Sequence, residues 1–160
     1  MTLRGAVLTV SDSAAAGARE DRSGPLVAGR LRELGWEVSA TRTVSDDHHQ
    51  IESALREWLS SGELDAIFTT GGTGVAPRDV TPEATRAVIE REVPGLAELM
   101  RAQGLKRTRR AVLSRAVAGL AAGKLILNLP GSPRGAAESL DAVADLLPHI
   151  VELLRGGSPH

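Results

Sequence analysis

Residues 69–74, which read Thr-Thr-Gly-Gly-Thr-Gly, are the segment of the sequence with the clearest potential for chemistry. The glycines would let backbone N–H groups approach a ligand closely, and a predicted helix start follows them, which suits a phosphate group. The segment lacks the Gly-Lys-Ser/Thr ending of a P-loop, and Pro77 stands where a dinucleotide-binding fingerprint would have its last glycine. Two interpretations therefore stay open, a phosphate-binding loop and a purely structural tight turn.

Carboxylates near this segment are candidates for metal binding or acid–base chemistry. Asp79 precedes a predicted helix, where it would either stabilise the helix dipole or hold Mg²⁺ beside a bound phosphate. Asp46 and Asp47 follow a predicted strand, and either could be no more than the N-cap of the next helix. Their position at the same edge of the sheet suggests a second metal-binding or acid–base carboxylate. Arg78, next to Asp79, could neutralise phosphate charge.

Polar residues in other loops give weaker signals. The candidates are Ser11, Asp12, Asp21, Ser23, Ser114 and Ser132. Each could contact a substrate, but a solvated polar loop is the better explanation for most of the residues in the first loop, and a helix cap or a turn would explain Ser114 and Ser132. The histidines lack metal-ligand spacing and no Gly-x-Ser-x-Gly elbow occurs, so neither zinc chemistry nor serine hydrolysis is expected.

Short apolar runs predict the strands that would position these residues. The runs are residues 6–10, 36–40, 66–70 and 125–129. Helical spacing predicts helices from Ser23 to Gly35, from Ser45 or Asp46 as N-cap to Gly62, from Thr81 to Arg91, and over residues 96–103 and 136–154. Strands alternating with helices imply an α/β fold, a single domain over residues 1–160 with three α/β/α layers and a mostly parallel, doubly wound sheet.

Ligands of such sheets bind beyond the carboxyl ends of the strands. Here those ends lead into the loops that begin at Ser11, Val44, Gly71 and Pro130. We therefore expect the chemistry of the protein at these four loops.

The composition argues against several other classes of protein. The 160 residues carry a net charge of −1, which offers no general attraction for nucleic acid or acidic lipid. No cysteine is present, so neither a disulfide framework nor a thiolate metal site can form. No apolar run approaches the roughly 18 residues of a membrane span, and the first run is too short for a signal peptide. We therefore expect a cytoplasmic protein that binds neither membrane nor nucleic acid.

Several short motifs follow one another along nearly the whole chain. They are residues 69–74, Arg-Asp-Val-Thr-Pro-Glu-Ala-Thr at 78–85, Pro94-Gly95 with Glu98 and Arg101, Leu-Ser-Arg at 113–115, and Leu-Asn-Leu-Pro-Gly-Ser-Pro at 127–133. Together with Ser11-Asp12 after the opening strand, this ordered set resembles the molybdenum-cofactor biosynthesis proteins of the MogA and MoaB family.

The resemblance implies a homotrimer or hexamer that binds molybdopterin. In the adenylyltransferase branch of the family, it also implies transfer of AMP from ATP to the terminal phosphate of molybdopterin, with Mg²⁺ as cofactor and release of pyrophosphate. The implied catalytic and metal-binding residues are Asp46 and Asp79. The implied substrate-binding residues are Ser11, Thr70, Gly71, Gly72, Thr73, Gly74, Ser114, Pro130, Gly131 and Ser132. Nucleotidyl transfer needs positioning and charge neutralisation, which these residue types can supply.

Two other functions stay open. A MoaB-like protein could bind pterin without transferring AMP, although the presence of both Asp46 and Asp79 favours the enzyme. A nucleic-acid-binding or partner-binding module would use the basic cluster Lys106, Arg107, Arg109 and Arg110, but the near-neutral charge and the lack of an aromatic platform favour a solvated face or a local anion site. The apolar residues 111–122 are expected to bury themselves against a neighbouring subunit.

Overall fold

A six-stranded sheet forms the centre of the protein, whose residues 1–157 are described by a computed structural model. The strands are β1 (Leu3–Val10), β2 (Trp36–Val44), β3 (Ala66–Thr70), β4 (Arg91–Glu92), β5 (Ala118–Ala121) and β6 (Lys124–Leu129). Their order across the sheet is β2-β1-β3-β6-β5-β4. The first four strands of this order are parallel, and the last two pair antiparallel. The predicted mostly parallel sheet is confirmed.

Helices cover both faces of the sheet. They are α1 (Asp12–Ala15), α2 (Ser23–Glu33), α3 (His48–Leu59), α4 (Thr81–Arg86), α5 (Pro94–Gly104), a 3₁₀ helix (Arg109–Leu113), α6 (Pro133–Val143) and α7 (Leu147–Leu154). Because successive side chains of a strand point to opposite faces, each central strand contributes to two cores. Phe68 and Leu127 pack with α2, α5, α6 and α7, whereas Ile67 and Ile126 pack with α3 and α4. The two cores confirm the three-layer α/β/α arrangement.

Strands β4 and β5, the short helix α1 and the 3₁₀ helix are not predicted by the sequence pattern. The predicted helix of residues 81–91 ends at Arg86, and the short edge strand β4 follows it. Strand β5 pairs with β6, and Ala118 is fully buried inside the sheet of its own chain. The expectation that residues 111–122 bury against a neighbouring subunit is therefore wrong for β5, although Val112 and Leu113 are exposed.

The last predicted helix, residues 136–154, is divided into α6 and α7. Pro148 lies in the first turn of α7, where its missing N–H is tolerated, whereas the same residue inside one continuous helix would remove a hydrogen bond. Within residues 1–157, no helix is long and apolar enough to cross a membrane.

The strand order reverses between β1 and β3, and this point of reversal locates the site. From β1 the chain continues to β2 on one side, and from β3 the sheet extends to β6 on the other. Loops diverge at such a switch point and leave a crevice beyond the carboxyl ends of the strands. The four parallel strands end at Val10, Val44, Thr70 and Leu129, so the four predicted loops lie at one edge of the sheet.

Candidate functional site

The glycine-rich loop follows β3 directly and requires glycine at its first two positions. Gly71 has a φ of +106°, and a Cβ at this residue would lie 2.2 Å from the carbonyl oxygen of Val10. Gly72 has a φ of +68°, and a Cβ there would lie 2.3 Å from Thr81 Oγ1. The loop thus passes between the end of β1 and the start of α4, in a conformation that is strained for any residue with a Cβ.

Hydrogen bonds fix the loop on two sides. Thr70 Oγ1 donates to the carbonyl oxygen of Pro130 over 2.7 Å, which ties the end of β3 to the loop after β6. Thr81 Oγ1 donates to the carbonyl oxygen of Gly71 over 2.9 Å, and the Thr81 N–H donates to the carbonyl oxygen of Gly72 over 3.1 Å. The start of α4 therefore holds the loop by its carbonyl groups.

The loop's N–H groups are left available. Within residues 1–157, the backbone N–H groups of Gly72, Thr73 and Gly74 donate to no protein acceptor. Successive unpaired N–H groups in a turn form a concave site that attracts anions. The geometry therefore agrees with the phosphate-binding interpretation of residues 69–74.

Asp46 lies just beyond the end of β2 and exchanges two backbone-to-side-chain hydrogen bonds with Asp12. The Asp12 N–H donates to Asp46 Oδ2 over 2.9 Å, and the Asp46 N–H donates to Asp12 Oδ1 over 3.0 Å. Arg78 donates to both carboxylate oxygens of Asp12, over 2.9 and 2.7 Å. Burial raises the pKa of the Asp46 carboxyl, and the charges of Asp12 and Asp79 add to this rise. The hydrogen bonds from Arg78 lower the pKa of Asp12.

The N-cap of α3 is Asp47, which confirms one of the two aspartates offered for that role, and neither Ser45 nor Asp46 caps the helix. Asp47 Oδ2 accepts the Gln50 N–H over 2.9 Å. The Asp46 carboxylate is directed to the glycine loop instead, because its Oδ1 lies 3.1 Å from the point where a Cβ of Gly72 would be. Two adjacent acidic residues thus have separate roles.

Asp79 closes a turn between the glycine loop and α4. Its Oδ2 accepts the Ala76 N–H over 2.9 Å, and its N–H donates to the carbonyl oxygen of Ala76 over 2.9 Å. The same Oδ2 lies 2.8 Å from the point where a Cβ of Gly74 would be, so the carboxylate lies against the glycine loop. Asp79 does not cap α4, because Val80 occupies the N-cap position.

Two of the predicted serines are helix caps. Ser11 Oγ accepts the Ala14 N–H over 3.2 Å at the start of α1. Ser132 Oγ accepts the Gly135 N–H over 3.0 Å at the start of α6. Both hydroxyls therefore have a structural role, in addition to any contact with a ligand.

Two clefts open at this edge of the sheet and meet at the glycine loop. The first has a volume of about 510 Å³ and lies between the loop after β1 and the end of β2. The second has a volume of about 670 Å³ and lies between the 3₁₀ helix and α6. Gly72, Asp79 and Gly131 line both clefts.

A cationic wall borders the second cleft. Lys106, Arg107 and Arg110 line it and are exposed, and none of them forms an ion pair with another residue in the range 1–157. Three of the four residues of the predicted basic cluster thus lie at the candidate site, and Arg109 does not line the cleft. This position agrees with the interpretation of the cluster as a local anion site.

Comparison with known proteins identifies the family. Residues 6–149 match the family model described as "Probable molybdopterin binding domain". The chain belongs to this family. The resemblance to the MogA and MoaB proteins is thereby confirmed, and the matched range includes the candidate site.

Relatives match the chain over nearly its whole length. It is 41% identical over 157 residues to the molybdopterin adenylyltransferase of Helicobacter pylori (strain J99), covering 97% of this chain and 89% of that protein. It is 44% identical over 153 residues to the molybdenum cofactor synthesis protein cinnamon of Drosophila melanogaster, covering 92% of this chain. The match spans only 25% of the fly protein. The solved structure of the molybdopterin biosynthesis enzyme MoaB from Thermus thermophilus has a TM-score of 0.92 and 50% identity, with 99% of this chain and 100% of that chain covered.

Every residue that the family resemblance implied for the site lines at least one cleft. Ser11, Asp46, Thr70 and Gly71 line the first, Thr73, Gly74, Ser114, Pro130 and Ser132 line the second, and Gly72, Asp79 and Gly131 line both. The sequence offered Asp12 only as a weak substrate-contact candidate and gave Arg115 no role of its own. Both belong to short motifs, Ser-Asp and Leu-Ser-Arg, but their contacts with the site depend on the fold.

The donor set of the first cleft fits Mg²⁺. Among residues 1–157, no group of three or more His, Cys, Asp or Glu side chains could hold a metal ion. Mg²⁺ does not require such a group, since it usually binds one or two carboxylates and completes its shell with water and substrate phosphates. Asp46 and Asp79 line the same cleft, and their repulsion contributes to the raised pKa of Asp46. A divalent cation would relieve that repulsion.

Proposed function

We propose that this protein acts in molybdenum cofactor biosynthesis by transferring AMP from ATP to the terminal phosphate of molybdopterin in the presence of Mg²⁺. An oxygen of the molybdopterin phosphate attacks the α-phosphorus of ATP, the bond from that phosphorus to the β-phosphate bridging oxygen breaks, and pyrophosphate leaves. The name of the Helicobacter pylori relative, which this chain matches over nearly its full length, supports the assignment.

The meeting of two clefts at one wall is the observation on which this proposal rests. Transfer between two substrates requires two binding regions that share the point where the groups react. The walls common to both clefts are Gly72, Asp79 and Gly131, which belong to the glycine loop, the following turn and the loop after β6.

The residues at this meeting point have complementary roles in the proposal. The free N–H groups of Gly72, Thr73 and Gly74 hold phosphate oxygens and stabilise the charge that develops during transfer. Asp79 and Asp46 hold the metal ion. When bound, Mg²⁺ would neutralise phosphate oxygens and orient them for displacement. The cationic wall of Lys106, Arg107 and Arg110 attracts an anionic substrate into the second cleft.

A pterin-binding protein without transferase activity is the second candidate. The chain is similar both to the Thermus thermophilus MoaB structure, at 50% identity, and to the Helicobacter pylori adenylyltransferase, at 41% identity, so similarity alone does not separate the two candidates. The two candidates differ in one measurable property, the consumption of ATP in the presence of molybdopterin.

The deciding experiment measures the formation of adenylylated molybdopterin from ATP and molybdopterin, with and without Mg²⁺. Wild-type protein is compared with Asp46→Asn and Asp79→Asn, which retain shape but lose charge. The proposal expects magnesium-dependent product from the wild type and loss of product in both variants. Bound molybdopterin without product in the wild type would support the second candidate instead, and a normally folded Asp79→Asn protein with wild-type activity would refute the metal role of Asp79.

We further propose that the protein forms a homotrimer or a hexamer and works in the cytoplasm. The exposed apolar residues Val112 and Leu113, next to the second cleft, are surfaces that an assembly could cover. Light scattering that gave the mass of a single chain would refute the assembly.

A further inference from the structure

Arg115 contacts the candidate site from behind. It follows the 3₁₀ helix and lines neither of the two clefts, so it does not meet a ligand bound in them. Its side chain is 38% exposed. Any effect of Arg115 on the reaction must therefore pass through other residues.

The guanidinium of Arg115 joins the two ends of the turn that carries Asp79. Its Nε donates to the carbonyl oxygen of Gly74 over 2.7 Å, and its Nη2 donates to the carbonyl oxygen of Asp79 over 2.7 Å. The Arg115 N–H also donates to the carbonyl oxygen of Thr73 over 2.8 Å. One rigid planar group thus fixes the separation of Gly74 and Asp79 along the backbone.

That separation determines where the Asp79 carboxylate lies. Between the two tied carbonyl groups, Asp79 Oδ2 accepts the Ala76 N–H and lies close to Gly74. If the ends of the turn moved apart, the carboxylate would leave the wall that the two clefts share. The fork of arginine can bind two acceptors at a fixed spacing, whereas lysine has a single flexible ammonium group.

Glu83 orients the guanidinium. Arg115 Nη1 donates to Glu83 Oε2 over 2.6 Å, and Nη2 lies 3.3 Å from Glu83 Oε1. Glu83 is in the first turn of α4, where the helix dipole favours its charge, and the hydrogen bond from Arg115 lowers its pKa. The helix that follows the turn thereby holds the arginine that fixes the turn.

We propose that Arg115 is a positioning residue for the Asp79 carboxylate, acting through the carbonyl groups of Gly74 and Asp79, with Glu83 keeping its guanidinium in place. The proposal rests on the transferase function in one respect only, that Asp79 holds the metal ion. The geometric part of it, the ordering of the turn, is independent of any activity.

The chain offers a matched control at the opposite end of the sheet. Arg155 donates to the carbonyl oxygen of Thr2 over 2.7 Å and to both oxygens of Asp65, and its side chain is 40% exposed. It thus has the same kinds of partner and similar exposure, but it is remote from both clefts. Arg155→Lys reports what such a change does to stability alone.

The experiment compares Arg115→Lys, Glu83→Gln and Arg155→Lys in the full chain. Amide hydrogen exchange of Ala76 is measured first, on protein without ligands, together with the melting temperature. We expect Arg115→Lys to accelerate exchange at Ala76 about tenfold or more, because the turn opens locally, and Arg155→Lys to leave it unchanged. Glu83→Gln, which does not touch the turn, should give a smaller change of the same sign. Unaltered exchange in both site variants would overturn the proposal.

The second measurement is the Mg²⁺ concentration that half-saturates adenylylation. Changes to residues that orient metal ligands typically weaken metal binding about 10-fold to 100-fold, so we expect a rise of that order in Arg115→Lys with the KM for molybdopterin nearly constant. Two results would assign Arg115 a purely structural role. One is an equal rise of the half-saturating Mg²⁺ concentration in Arg155→Lys. The other is a lower melting temperature of Arg115→Lys with an unchanged Mg²⁺ dependence. An inactive wild-type protein would refute the transferase function, while exchange at Ala76 would still decide whether Arg115 orders the turn.

Discussion

The two carboxylates of the first cleft are held in different ways. Asp46 is partly buried, and its neighbour is another carboxylate, Asp12, whose charge is balanced by Arg78. Asp79 makes no ion pair within residues 1–157 and accepts a backbone N–H in a turn that Arg115 ties from behind. The surroundings of Asp46 therefore disfavour its negative charge. The position of Asp79 is instead fixed by the backbone of its turn.

This difference predicts how Asp46 and the turn of Asp79 each affect the folding stability of the protein. A carboxyl with a raised pKa is less stable as an anion in the folded protein than in the unfolded chain, so charged Asp46 lowers the stability of the ligand-free protein. A turn held by neutral carbonyl acceptors carries no such penalty. Variants of Asp46 and variants of the Asp79 turn should therefore differ in stability even where both lose activity.

The largest expected effect comes from Asp46→Ala. Removal of one charged group that acts on the transferred phosphate should reduce adenylylation by about 100-fold or more. The matched control is Asp47→Ala, which removes the adjacent carboxylate that caps α3. We expect it to lower stability by about 1 kcal/mol and to leave the rate nearly unchanged. Rates are measured by product formation and stabilities by urea unfolding; a similar loss of rate in both variants would show that the two acidic residues do not have separate roles.

A smaller effect is expected from Gly72→Ala, which tests the loop between the two carboxylates. The added Cβ would lie 2.3 Å from Thr81 Oγ1 and 3.1 Å from Asp46 Oδ1, and φ is +68°. Displacement of the loop should lower the rate about tenfold or more, since small misplacements of reacting groups are costly.

Gly123→Ala is the control for backbone strain. Gly123 has a φ of +74° with no atom within 4 Å of its Cβ position, so this variant introduces strain of about 1 kcal/mol without a clash. Melting temperature and adenylylation rate are measured for both variants. If Gly123→Ala reduced the rate as much as Gly72→Ala, the effect would be one of general stability and not of the loop.

The sequence predicts the centre of this fold better than its edges. Parallel strands buried on both faces are continuous apolar runs, which is why the predicted bounds of β3 and the predicted ends of β1 and β6 match the structure. The edge strand β2 alternates buried and more exposed residues and extends to Val44, beyond the predicted run of residues 36–40. Strand β5 reads Ala-Gly-Leu-Ala, which has little intrinsic preference for a strand, and it exists because it pairs with β6. The break between α6 and α7 was predictable in principle, because Pro148 signals it.

The candidate site divides in the same way. Its wall residues could be predicted, because glycine patterns and family motifs are local features of the sequence. The bond of Asp12 to Asp46 joins residues 34 positions apart, and that of Arg115 to Asp79 joins residues 36 positions apart. No pattern in one sequence indicates such pairs, and they decide how each carboxylate is oriented.

The smallest expected effect, and the one that tests the comparison most directly, is the change of stability with pH in Asp46→Asn and Asp12→Asn. The folded pKa of Asp12 is lowered, so its charge contributes stability that is present above the unfolded pKa of about 3.9 and is lost as the pH falls through the folded pKa. The folded pKa of Asp46 is raised, so its destabilising effect is absent at low pH and grows as the pH rises from the unfolded to the folded pKa.

Asp12→Asn should therefore lower the melting temperature near pH 7, whereas Asp46→Asn, although inactive, should raise it. For Asp46→Asn each kcal/mol corresponds to about 2–4 °C in a chain of this size, and the difference should shrink near pH 4. The difference for Asp12→Asn should shrink only at lower pH, as the pH falls through the folded pKa. Thermal unfolding of ligand-free protein over this pH range decides the matter. A lower melting temperature for Asp46→Asn at pH 7 would mean that the hydrogen bonds of Asp46 with Asp12 outweigh its burial, and that charged Asp46 does not destabilise the folded protein.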